Sequence, residues 1–79
     1  MTVDRGLSEA DLLMLAIERR FYARPGGKEQ AIADELGLTA TRYYQLLSQL
    51  INRPEALAAD PMTVNRLRRL RARRRVRAA

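Results

Sequence analysis

Apolar and polar positions alternate with helical spacing through most of the chain. Leu13, Ile17 and Phe21 recur every four residues and form one apolar face. Leu12, Leu15, Ala16 and Tyr22 form a second apolar face on the same stretch, so a helix over about 9–22 needs cover on more than one side. Its start is well marked. Ser8 is placed to cap it, Asp11 three residues on can close a capping box, and Leu7 and Leu12 can form a hydrophobic staple. Arg24-Pro25-Gly26-Gly27 breaks the pattern and predicts a loop.

The pattern resumes over 28–36, with Ile32, Ala33 and Leu36 apolar and the acids Asp34 and Glu35 off that face. Gly37 follows as a left-handed helix stop. Thr39 then caps a third helix over 40–51, with Leu38 and Tyr43 placed as a staple. Small Ala33 predicts a close helix crossing, and Gly37 four residues later predicts a sharp turn. Together with Ile32, Leu36, Leu38, Tyr43, Leu46 and Leu50 facing inward, this is a helix-turn-helix pattern. Asn52-Arg53-Pro54 ends the third helix, and a short turn of helix is expected over 54–59. Asp60 caps a last helix, with Pro61 at its first position and a narrow stripe of Val64, Leu67 and Leu70. Arg71 and Arg74 interrupt that stripe, so residues 71–79 are expected to fray unless an anion orders them.

These elements predict an all-α fold: a helix-turn-helix domain over 1–60 and an Arg-rich helix or tail over 61–79. Three helices would pack around Leu13, Ile17, Phe21, Ile32, Leu36, Tyr43, Leu46 and Leu50, with the last helix laid across them or projecting.

Charge adds a second division. Residues 1–60 carry seven basic side chains against nine acidic ones, whereas 61–79 carry eight Arg and no acid. Attraction for a polyanion therefore resides in the tail. With 79 residues the chain makes one small domain. It has no Cys and no His, which removes disulfides, thiol nucleophiles and the commonest general base and metal ligand. Ser8 and Ser48 thus have no base, and Gly26-Gly27 lacks the residues of a phosphate loop. No enzymatic activity and no cofactor are expected. The longest apolar run, Leu12 to Ile17, is too short to span a bilayer, and the first residues lack a signal-peptide core. The expected location is cytoplasmic and nucleoid-associated.

Stepping about 100° per residue from an inward Tyr43 puts Leu46, Leu47 and Leu50 on the core side of the third helix. Thr41, Gln45, Ser48 and Asn52 fall opposite, flanked by Arg42, Tyr44 and Gln49. No acid occurs from Leu36 to Pro54, so nothing there repels phosphate. Thr41, Arg42, Tyr44, Gln45 and Ser48 are therefore the candidate base contacts, with Gln45 suited to an adenine edge and Arg42 to guanine or phosphate. Candidate backbone contacts are Lys28, Thr39, Gln49, Arg53, Arg66, Arg69, Arg73, Arg74, Arg75 and Arg77. The same polar strip also fits a merely solvated helix face, and the arginines a solubilising end.

The runs LSEADLLMLAIERRF and EQAIADELGLTATRYYQLL resemble the helix-plus-helix-turn-helix of sigma-factor region 4, over residues 7–51. GLTATRYYQLL, the segment around RPEALAADP and the RLRRLRARR tail are similar to a family of short actinobacterial proteins of uncharacterised function, over most of 8–75. The resemblances imply a helix-turn-helix and an actinobacterial or actinobacteriophage source. The leading expectation is a sequence-specific transcription regulator that binds double-stranded DNA. The alternative is a protein-interaction module that docks on RNA polymerase or a transcription factor. A third reading is sequence-indifferent nucleic-acid binding by the tail alone. Homodimerisation on two half-sites would use the second face of the first helix or the Val64/Leu67/Leu70 stripe, unless these close the monomer core. No membrane partner is expected.

Overall fold

The computed structural model describes the backbone of residues 6–78 and the side chains of residues 6–73. The fold is all-α. Five helices follow in order: α1 (Glu9–Arg20), α2 (Lys28–Ala31, widened into a π turn over Ile32–Leu36), α3 (Ala40–Leu50), α4 (Pro54–Ala59) and α5 (Pro61–Ala78). No strand occurs among the described residues.

Local chemistry sets the helix ends. The Ser8 hydroxyl accepts from the Asp11 amide and the Asp11 carboxylate accepts from the Ser8 amide, each at 3.0 Å, which closes the capping box. Gly37 takes φ +67°, and its amide donates to the Ala33 carbonyl at 2.9 Å. Only glycine adopts that conformation cheaply. Three residues, Gly37–Thr39, then separate the π turn from α3, whose first turn is capped by the Thr39 hydroxyl accepting from the Arg42 amide. Pro54 opens α4, and the Asp60 carboxylate accepts from the Thr63 amide at the start of α5.

The core gathers Leu7, Met14, Leu15, Ile17, Ile32, Tyr43, Leu47, Leu50, Ile51, Ala56 and Val64, with Phe21, Leu36, Leu38, Leu46, Leu57 and Leu67 packed around it. Three expectations need correction. Leu13 is exposed, because the buried face of α1 is centred on Met14 and Glu18 and Leu13 lies at its margin, about 40° round from Ile17. Ala33 is exposed, and Ala31 is the small buried residue; Ala33 lies two residues on, across the helix from it. Leu12 is also exposed although Leu7 is buried, so Leu12 does not close over the start of α1.

α5 is part of the core as well as an extension of it. Thr63 and Val64 are fully covered, and α5 packs on both α1 and α4. Arg66 stacks its guanidinium 3.8 Å from the Tyr22 ring, so the last helix covers part of the second face of α1. The backbone stays helical to Ala78, where fraying was expected after Leu70.

Candidate nucleic-acid interface

α3 carries the surface of interest. Tyr43, Leu47 and Leu50 anchor it in the core. Thr41, Arg42, Gln45, Ser48, Gln49 and Asn52 are exposed on its outer side, and Tyr44 is partly exposed beside them. Arg42 Nη1 donates to Gln45 Oε1 at 3.2 Å, so the two best hydrogen-bonding groups of the strip hold one another in place. Thr39 uses its hydroxyl to cap the helix.

A buried polar group beneath this surface fixes the angle of α3. Glu18 of α1 is only 6% exposed. Its carboxylate accepts from the Tyr43 hydroxyl and from Lys28 Nζ, the latter as an ion pair at 2.9 Å. The Tyr43 hydroxyl also lies 3.3 Å from the Met14 carbonyl. One carboxylate thereby joins α1, α2 and α3. Burial, the hydrogen bond to Glu18 and the Glu18 charge push the Tyr43 phenol above its ordinary range. Burial alone would lower the Lys28 pKa, but hydrogen bonds to Tyr44 and Glu18 outweigh it and raise it above the usual lysine value. The Lys28 ammonium also lies 5.1 Å from the Tyr44 ring centre, and the Tyr43 and Tyr44 rings meet edge to face at 5.0 Å.

The basic residues named from sequence divide by environment. Lys28 is turned inward to Glu18. Arg53 donates to the Gly6 carbonyl at 2.9 Å and pairs with Asp11 at 3.2 Å. Arg66 lies on Tyr22 and reaches the Glu18 carbonyl. Arg69 and Arg73 are exposed, on the side of α5 opposite Val64, Leu67 and Arg71. The side chains of Arg74, Arg75 and Arg77 lie outside the described residues. Two arginines not singled out from sequence face α3 instead. Arg68 Nε donates to the Ile51 carbonyl at 2.6 Å. Arg71 donates to the Ser48 carbonyl at 3.3 Å and to Asn52 Oδ1 at 2.7 Å. They satisfy carbonyls that the end of α3 leaves open, and their charge complements its dipole.

Internal ion pairs engage five of the nine acids of residues 1–60 and leave the segment's net charge unchanged. Arg19 pairs with Asp60, Arg20 with Glu35, Lys28 with Glu18, and Arg53 with Asp11 and Glu55. The sequence reading missed Glu18. Its signal was available, since it falls four residues after Met14 and three after Leu15, inside the apolar face.

The fold and surface define a small all-α protein with an acid-free polar helix and a basic terminal helix beside it. No helix among the described residues is long and apolar enough to cross a membrane. The chain belongs to the family "Protein of unknown function (DUF3263)", whose model matches residues 6–78. No curated protein and no solved structure matches the chain.

Proposed function

We propose that the protein is a small DNA-binding transcription regulator. α2 with its π turn, the turn Gly37–Thr39 and α3 act as a helix-turn-helix, and α3 enters the major groove. The observation that carries this reading is the acid-free exposed strip of α3, anchored through Tyr43 to a buried carboxylate that also holds α1 and α2. A reading helix must be held at a fixed angle, and this one is. Thr41, Arg42, Tyr44 and Gln45 take base edges. Ser48 contributes at the far end, where Arg71 crowds it. Thr39 and Gln49 meet phosphate, and exposed Arg69 and Arg73, with the arginines that follow them, supply counterion release. A nucleoid-associated location follows from this activity.

A mobility-shift assay on genomic fragments at two salt concentrations tests the reading. Retardation at low salt that weakens at high salt is expected; no retardation at low salt overturns it. Gln45→Ala reduces discrimination between sequences by about 1–3 kcal/mol. Arg69→Ala with Arg73→Ala weakens all sequences alike and lowers the salt slope by about two.

A second reading is favoured by the exposed pair Leu12 and Leu13 on α1. There the protein docks on RNA polymerase or a transcription factor through that face. A pull-down from nuclease-treated lysate separates the two, since only a protein partner survives nuclease and is lost with Leu12→Ser.

A further inference from the structure

A groove of about 490 Å³ opens between α3 and α5. Leu47 of α3, Ile51 just after it, and Leu67 and Leu70 of α5 give it apolar walls. Its polar groups are few: Tyr44, Ser48, Arg71, and the Glu18–Lys28 pair. Such a volume, mainly apolar with a few convergent polar groups, is the usual form of a small-molecule site.

The charge of the groove selects the occupant. Glu18 and Lys28 cancel in their 2.9 Å ion pair. Arg71 also lines the groove, but its contacts among the described residues are a backbone carbonyl and an amide oxygen, both neutral. Among the described residues, one positive charge is thus left at the edge of an apolar wall. A neutral apolar ligand would leave that charge unused, and a cation would be repelled.

We infer that the groove between α3 and α5 binds a small amphipathic organic anion, its apolar body against Leu47, Ile51, Leu67 and Leu70 and its anionic head on Arg71. The site does not depend on the DNA-binding reading. Because Ser48 and Tyr44 line it from α3, an occupant adjoins the outer strip of that helix.

Titration of the whole chain with octanoate, followed by NMR amide shifts, tests the site, with octanol as the uncharged control. Saturable octanoate shifts confined to Tyr44, Leu47, Ser48, Ile51, Leu67, Leu70 and Arg71 are expected. Octanol should bind about tenfold more weakly, and Arg71→Gln should erase that difference. Leu70→Asp, at a position 38% exposed, places a carboxylate in the wall and should abolish octanoate binding even if Arg71→Gln proves unfolded. Equal affinity for octanol and octanoate overturns the inference. So do shifts spread over Leu12, Leu13 and Met62, which are exposed elsewhere on the molecule.

Discussion

Leu13 and Leu15 sit two residues apart on α1 in opposite surroundings. Leu15 is 1% exposed and Leu13 is 38% exposed. Leu15→Ala leaves a cavity and should cost about 2–5 kcal/mol. Leu13→Ala should cost less than about 1 kcal/mol. Urea denaturation of the two variants gives the comparison, and a large loss at Leu13 would mean that another surface covers it. Spacing alone did not separate them, because α1 carries apolar residues on more than half its circumference. Burial of Met14 and Glu18 decided the rotation, and that depends on where α5 lands.

Asp60 shows a different residue-level effect. Burial alone would raise its pKa, but Arg19 at 2.7 Å and hydrogen bonds from Thr63 outweigh this and lower it below the ordinary value of 3.8. A lowered folded-state pKa stabilises the fold fully above 3.8. The contribution declines as pH falls below 3.8 and vanishes beneath the folded-state pKa. Asp60→Asn should therefore destabilise the protein near neutral pH and lose that effect in strong acid. Unfolding curves across that range check the sign.

At the scale of elements, the turn into α3 rests on one glycine. A Cβ at Gly37 would meet no atom within 4 Å, so only backbone strain at φ +67° opposes a side chain. Gly37→Ala should cost about 1–2 kcal/mol. Gly37→Asn should cost less, because Asn visits the left-handed region more readily. Thermal unfolding ranks the two; equal values would show that strain is not the cause. This turn, the Ser8–Asp11 box and the Pro54 and Pro61 starts were all legible in the sequence, because caps and turns depend on neighbours a few residues away. The π turn over Ile32–Leu36 was not. No residue type signals it; the turn packs on α1 and α3, with Ile32 in the core and Leu36 against it. The outward order of α3 was legible from a single inward Tyr43. The inward turn of Lys28 was not, since it depends on Glu18 ten residues earlier.

Across the whole molecule, the Glu18 carboxylate joins three helices that the sequence keeps apart. Tyr43→Phe keeps the ring and removes one donor, and should cost about 1–3 kcal/mol. Glu18→Ala leaves Lys28 without its carboxylate and the Tyr43 hydroxyl with only the Met14 carbonyl at 3.3 Å, and should cost about 3–5 kcal/mol. If Glu18→Ala costs no more than Tyr43→Phe by chemical denaturation, the carboxylate does not hold the three helices together. The division of charge between core and tail, plain in composition, changes meaning at this scale. Most of the core acids are spent on core cations, and α5 uses Arg68 and Arg71 on the end of α3. Among the described side chains of α5, the exposed arginines, Arg69 and Arg73, sit on one side of the helix.

The burial of Val64 in the shared core, together with the Arg68 and Arg71 contacts to the end of α3, bears on the order of synthesis. A ribosome delivers α1, α2 and α3 first, yet their shared core lacks a wall and α3 lacks its closing donors until the final helix emerges. The nascent chain therefore holds an incomplete core until α5 has followed α1, α2 and α3. A chain truncated before Val64 should therefore be less stable than one that carries α5.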